Sequence, residues 1–459
     1  MAFIGRREEL NKLRNLYNTT TYEGVIVYGQ RNIGKTELLK KSFALCSYKC
    51  IYYECLRASE YLNTQCFSDV ISASFGIPKP SFDSFVDAVE YVAKEARINP
   101  IVLVIDEYPY IRDVNGVMDS ALQKVIDTYK GSSKLKFILC GSYVDVMKGL
   151  LTESNPLYKR FSTSLNITQM DYYESSLFYE DYSDEEKVQM YAVLGGVPYY
   201  NQFVDTKVSV KQNIINLILD KNGRLAVGPE QFLEQEIAKM TNANEVFTAI
   251  ARGKSKFSDI LDKSHVNSSP ALANILNRLI AMDVIVKIFP INNEAEKKSY
   301  YSISDRYSLF YYKYVFTKKS MLASMSAETF WDEFIEEDFR DSFVPRCFEV
   351  IARQFLVRRN KEGLIKPVLY KVGTYYYDDR NKRVNGEFDV VTLNKQGYDF
   401  YEVKFTDKPV DDSVVNEEVF QLKQAGIAYH RLGFFSKSGF SMREKEKYIL
   451  YSLKDVYEG

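Results

Sequence analysis

At 459 residues, 46% hydrophobic and 26% charged, the chain is that of a folded globular protein with room for roughly three domains, not of a disordered or fibrous one. A net charge of −1 excludes binding of nucleic acid through the overall field, so any such contact has to come from a local patch. The cysteines form no CxxC pair, the histidines are only two, and no apolar run approaches the roughly 18 residues that span a bilayer, so neither a zinc site, a signal peptide nor a membrane helix is expected and a cytoplasmic protein is.

In chain order, residues 24–28 (GVIVY) predict a short buried strand and 35–45 a helix. Residues 50–55 (CIYYEC) predict a second strand and 82–97 a further helix. The continuous run 101–105 (IVLVI) predicts a strand covered on both faces, and 136–140 (KFILC) repeats the pattern. Strands alternating with helices imply a parallel α/β sheet. Beyond about residue 170 strands become rare, and 175–194 and 209–220 read as helices flanking Gly195-Gly196-Val197-Pro198. Helices then follow at 243–251, from 257, and from Ser268-Ser269-Pro270 to about 282, where serine suits the cap and proline the first turn. Two strands, 284–289 and 299–303, complete the pattern of a winged helix-turn-helix. Residues 330–358 read as helix, and 368–459 return to strands with a hairpin at 386–405. The expected domains are 1–170, 171–240, 241–320 and 321–459.

Gly29-Gln30-Arg31-Asn32-Ile33-Gly34-Lys35-Thr36 fits GxxxxGK[ST] in full, after a strand and at the start of a helix. In such a loop the backbone N–H groups of Gly29, Asn32 and Gly34 and the helix N-terminus face phosphate. Lys35 then reaches the terminal phosphates and Thr36 ligates Mg²⁺. Asp106 and Glu107 end the 101–105 strand, which delivers two acids to the sheet edge where α/β ligands bind. Asp106 is expected in the Mg²⁺ shell and Glu107 beside the attacking water. Ser142, after the 136–140 strand, is either a γ-phosphate contact or a turn residue. The expected ligands are therefore ATP and Mg²⁺.

These segments, with Phe3-Ile4-Gly5-Arg6-Arg7-Glu8-Glu9-Leu10 and Gly195-Gly196-Val197-Pro198, resemble the archaeal-type prokaryotic ATPases on the AAA+/STAND side of the P-loop NTPases. The resemblance covers about residues 1–320. It implies that Phe3, Ile4 and Arg6 lie against the adenine and that the GGVP segment belongs to a helical lid. It also implies an arginine that reaches the γ-phosphate. Arg160 is the candidate, in cis or in a homo-oligomer in trans, against a plain surface arginine. Residues 240–320 carry 12 Lys and Arg against 7 Asp and Glu, including Arg252, Lys254, Lys256, Lys263 and Arg278. That patch either meets DNA or RNA phosphates or belongs to a structural module.

In the C-terminal hairpin a symmetric turn at 394–397 places Asp389 opposite Glu402 and Glu387 opposite Lys404. Strict alternation then puts all four on one face, with Phe388, Val390, Tyr401, Val403 and Phe405 on the other. Two carboxylates facing across a ladder repel, and a divalent cation between them removes the penalty. This D-x(12)-ExK arrangement resembles the PD-(D/E)XK nucleases over residues 330–459. The resemblance implies Mg²⁺ on Asp389 and Glu402, with Lys404 orienting water, Glu349 on the preceding helix and Gln421 on a later one. The expected architecture is α/β: a P-loop NTPase core with parallel sheet and helical lid, a winged helix-turn-helix, then an α/β PD-(D/E)XK-like domain. Two functions remain open: an ATP-regulated nucleic-acid-processing enzyme with a Mg²⁺-dependent nuclease, or a STAND-like nucleotide switch whose last domain binds a partner without cleavage.

Overall fold

A computed structural model describes residues 3–229, 242–293, 299–379 and 384–458. The chain divides into two compact units, Met1–Gln169 with Ala281–Asp283, and Met170–Ile280 with Val284–Gly459. Among the described residues no helix is long and apolar enough to cross a membrane.

The first unit is built on strands β1 (Glu23–Tyr28), β2 (Lys49–Glu54), β3 (Ile101–Asp106), β4 (Leu135–Gly141) and β5 (Thr163–Asn166). They lie side by side in the order β2-β3-β4-β1-β5, and every neighbouring pair is parallel. Continuous apolar runs become the central strands because both faces are covered, and every residue of β3 and β4 is buried. The helices Glu60–Phe75 and Phe85–Glu95 supply Phe67 and Phe85, which meet Tyr53 of β2 with ring centroids 5.0 to 5.7 Å apart. Four of the five strands fall where their apolar runs predict. The fifth, TSLN, buries only Leu165, so its composition carries no strand signal.

The second unit opens with helices. The expected single helix 175–194 is two, Tyr172–Ser176 and Asp184–Leu194. Ser183 restarts the chain, accepting from the Glu186 N–H while the Glu186 carboxylate accepts from the Ser183 N–H. Helices Ala243–Ala251, Phe257–Lys263 and Ser269–Ala281 precede an antiparallel pair, β6 (Ile285–Ile288) and β7 (Tyr300–Ile303). The expected helix 330–358 also divides, into Ala327–Phe334 and Val344–Lys361, with short helical turns between.

The C-terminal sheet contains β8 (Lys371–Asp379), β9 (Val384–Asn394), β10 (Gly397–Lys404), β11 (Arg431–Ser436) and β12 (Ile449–Ser452), in the order β12-β11-β10-β9-β8. The first three strands are antiparallel neighbours, and β11 and β12 continue parallel to β10. Helix Val344–Lys361 covers one face through Phe348 on Phe405 and Phe355 on Phe435, at 5.1 and 5.7 Å. Helix Asp412–Ala425 covers the other through Val415 and Leu422, packed with Phe388, Val391, Phe400 and Phe434.

Candidate functional site

Strand β1, buried from Gly24 to Tyr28, runs into Gly29, where an added Cβ would lie 2.2 Å from the Ile167 carbonyl oxygen, so no side chain fits. The loop turns through Asn32 and Gly34, with φ of 63° and 89°, and helix Lys35–Phe43 begins at its end. Lys35 is buried and its ammonium donates to the carbonyls of Gly29 and Gln30 and to Ser142 Oγ, each at 2.9 Å. Burial among these neutral oxygens holds the Lys35 pKa below the usual lysine value, against the pull of Cys140, Glu107 and Asp106.

The strand order explains why three separate segments meet. Because β4 lies between β1 and β3, Ser142 emerges between the phosphate loop and the acidic pair. Its hydroxyl accepts from Lys35 and donates to Glu107 Oε1 at 2.6 Å. The other Glu107 oxygen, Oε2, is buried without a hydrogen-bond partner. Glu107 itself sits at φ 48°, in the left-handed region, which costs a non-glycine residue about 1 kcal/mol or more and aims the carboxylate back over the sheet edge. Asp106 is 1% exposed. Its Oδ2 accepts from Thr36 Oγ1 and Tyr52 Oη, each at 2.7 Å, and its Oδ1 from the Glu107 N–H at 2.8 Å. Burial would raise this carboxyl, but donors on Cys140, Tyr52 and Thr36 and the Glu107 N–H outweigh it and hold the pKa below the usual aspartate value. Tyr52 and Cys140 have no motif spacing to mark them, although both point from strands next to the acid.

Arg6 is buried and donates to the Ile33 carbonyl at 3.2 Å, so it braces the phosphate loop; Phe3 and Ile4 are half-buried nearby in sequence. Arg160 is elsewhere. Its carbonyl lies 2.5 Å from where a Cβ on Gly24 would stand, at the beginning of β1, and its guanidinium pairs with Asp127 at 3.0 Å. The length of β1, roughly 13 Å at about 3.3 Å per residue from Gly24 to Tyr28, separates it from its own phosphate loop. Of the alternatives for Arg160, the cis one does not fit this position, because Arg160 is on the opposite edge of the sheet from its own phosphate loop.

In the second unit the hairpin closes in the expected register from Gly397↔Asn394 to Tyr401↔Val390, and the ladder stops there. The expected pairs Asp389–Glu402 and Glu387–Lys404 are not part of it. The reason is an extra residue in β9, which sets Gly373 of β8 opposite Val391 but Tyr375 opposite Phe388. Phe388 and Val391, three apart, consequently share the face toward helix Asp412–Ala425. The single apolar face expected for Phe388, Tyr401 and Phe405 is split, because Tyr401 and Phe405 pack toward Phe435 and Phe348 on the other side. Lys404 pairs with its own strand neighbour Glu402 at 2.6 Å. Glu387 has Thr374, Asp389, Arg353 and Lys256 around it rather than Lys404.

The acids nevertheless collect. Glu349, on helix Val344–Lys361, has its pKa pushed up to about 8 by burial and by Asp389 and Glu402, against Arg353 and Arg346. Asp389 still reaches solvent, yet the protein crowded around it raises its carboxyl despite the same two arginines. Glu418, on helix Asp412–Ala425, is 5% exposed, leaves Oε1 without a partner, and is pushed up to about 8 by burial and Glu402. Sequence reasoning missed Glu418, which sits at an inward helix position usually taken by an apolar residue. Gln421 donates to Tyr377 Oη at 3.5 Å. Among the described residues no three acidic, histidine or cysteine side chains are gathered tightly enough to hold a metal ion. The β9–β10 ladder therefore does not set Asp389 opposite Glu402, the pairing on which the expected metal site rested.

Of the basic residues at 240–320, Lys256 lies 5.8 Å over the Tyr376 ring, Arg252 donates to Thr317 Oγ1 at 2.7 Å, and Lys263 pairs with Asp262 at 3.0 Å. Lys254 and Arg278 are exposed.

A parallel sheet whose first strand feeds a GxxxxGKT loop and whose third ends in an acid bonded to that threonine defines a P-loop ATPase domain. Residues 3–202 match a family described as ATPase domains predominantly from Archaea. Residues 311–418 match a second family, archaeal and bacterial proteins of unknown function. An uncharacterized protein of Methanocaldococcus jannaschii, MJECL04, is 25% identical over 412 residues, 88% of each chain. A Walker-type ATPase of Pyrococcus abyssi shares the fold with a TM-score of 0.50 at 19% identity, over 68% of this chain and 96% of that one.

Proposed function

We propose that the chain binds ATP with Mg²⁺, hydrolyses it with Glu107 polarising the attacking water, and uses the nucleotide state to switch its second unit. The observation that carries this is the hydrogen-bonded group Lys35–Ser142–Glu107 beside Thr36–Asp106. Thr36 Oγ1 and Asp106 Oδ2 are the oxygens suited to a hard dication, which when bound offsets phosphate charge. Lys35 would exchange neutral carbonyl acceptors for phosphate oxygens, which are the stronger acceptors for an ammonium. Glu107 offers an oxygen with no hydrogen bond of its own, within a cluster that orients the rest of the carboxylate. The test is nucleotide binding and turnover by wild type and Glu107→Gln. Retained ATP binding with lost turnover supports the assignment, and equal turnover by both removes it.

A second reading, a Mg²⁺-dependent nuclease in the last domain, is favoured by the order of the C-terminal elements and the clustered Glu349, Asp389, Glu402, Lys404 and Glu418. The 243–303 segment, read as a winged helix, would then present Lys254 and Arg278 to DNA or RNA. The separation of Asp389 from the β10 ladder speaks for the switch. Incubation with single- and double-stranded DNA and RNA, with Mg²⁺ or Mn²⁺ and with and without ATP, decides between them. Cleavage abolished by Asp389→Ala and Lys404→Ala, with ATP turnover intact, would establish the nuclease.

A further inference from the structure

Three residues beyond β2, on the same sheet edge as the phosphate loop, Arg57 has an exposed guanidinium. It stacks 4.9 Å over the ring of Tyr110 and donates to the Tyr143 hydroxyl. From within the phosphate loop, Arg31 donates to the same Tyr143 hydroxyl at 3.4 Å and to the Tyr110 hydroxyl at 3.1 Å. The two tyrosine rings stand edge to face, 6.0 Å apart. Both are tied to the hydrolytic group: Tyr143 directly follows Ser142, and Tyr110 lies in the first turn of the helix that Glu107 begins.

Two guanidiniums thus converge on one phenol oxygen. A phenol is a neutral acceptor, and the two positive charges repel across it. Among the described residues Arg57 has no carboxylate partner; its charge rests on the two tyrosines. Ser142 and Glu107, both beside the Lys35 ammonium, mark the end of the loop where a terminal phosphate belongs. A phosphate oxygen there would be an anionic acceptor, which adds charge attraction and two-point geometry that a phenol cannot offer a guanidinium.

We propose that Arg57, with Arg31 beside it, reads the γ-phosphate of ATP in cis, the two tyrosines holding Arg57 until a triphosphate arrives. The inference rests on the ATP reading above and assigns to Arg57 the recognition that the position of Arg160 rules out within one chain. Arginine suits the task because its planar fork grips phosphate in two-point contact and its charge persists at every working pH.

The test uses the full chain. Mg²⁺ complexes of ADP and of a non-hydrolysable β,γ-imido ATP analogue are titrated calorimetrically into wild type, Arg57→Ala and Arg57→Lys, each checked for an unchanged melting temperature. Loss of a charge-assisted contact predicts that Arg57→Ala binds the triphosphate analogue about tenfold more weakly or worse, with ADP affinity kept within about twofold. Arg57→Lys recovers part of that loss, since it restores the charge but not the fork. Equal weakening of both nucleotides, or none, overturns the proposal. A wild type that binds neither nucleotide would instead sink the ATP reading on which the proposal rests.

Discussion

The chain gathers acids in two places, and it treats them in opposite ways. At the end of β3, Asp106 is almost wholly buried yet surrounded by donors from Thr36, Tyr52, Cys140 and the Glu107 N–H, which keep it ionised. In the C-terminal unit, burial raises the pKa values of Glu349, Asp389 and Glu418, and Glu402 adds to the rise at Glu349 and Glu418. The first site satisfies its carboxylate with donors already in place, which holds the charged form despite burial. The second buries its carboxyls with too few donors to offset the loss of water, which favours their protonated form. Burial alone therefore does not decide whether an acid is charged; the donors placed around it do.

The sharpest way to break this comparison is at the satisfied site. Lys35→Ala removes the ammonium from between the loop carbonyls and Ser142, and nucleotide binding measured by calorimetry should be abolished. Glu107→Gln should keep ATP binding and lower turnover by about 10²–10⁴, the usual worth of a general base. At the crowded site the expected effect is on stability. Glu418 titrates near 8 in the folded chain against 4.5 unfolded, so the folded state holds the extra proton in that window. Its contribution falls as pH rises from about 4.5 to 8, by up to about 1.4 kcal/mol per pH unit. Thermal melts across that range should show the decline in wild type and a flatter profile for Glu418→Gln. A wild-type profile that is flat or rises with pH would show that the cluster is already neutralised. The smallest effect is expected for Ser142→Ala, about tenfold or less in turnover, because it removes one tether of Glu107 and leaves both oxygens in place.

The nucleotide site was largely legible because each of its parts is a local pattern. A strand of continuous apolar residues, a glycine loop and a helix start fix where Lys35 and Thr36 go, and IVLVI fixes Asp106. The tyrosines and Cys140 that tune the acid were not legible, since they arrive from neighbouring strands whose order a sequence does not state. The hairpin shows the opposite limit. Its turn and first four pairs follow from composition, but the extra residue at 389–390 has no signature such as a glycine or proline, so alternation carried straight through it misplaces Asp389. The cis alternative for Arg160 was beyond the sequence for a related reason: nearness in sequence to the sensor strand says nothing about which end of the sheet the chain has reached by then.

That extra residue has a further consequence, best put as one of phase. A strand is read two residues at a time, and β9 holds two segments, 384–388 and 391–394, that are out of step by one. The slip lets the chain change which way its early side chains face without altering the turn at 394–397 or any residue of β10. Removing Val390 would bring the two segments back into step and set Asp389 across from Tyr401. Such a deletion trades the buried position of Val390 for a carboxylate and would carry Phe388 and Glu387 along one place each. The local acid arrangement is thus adjustable by insertion or deletion of a single residue, a larger move than any substitution within the strand allows.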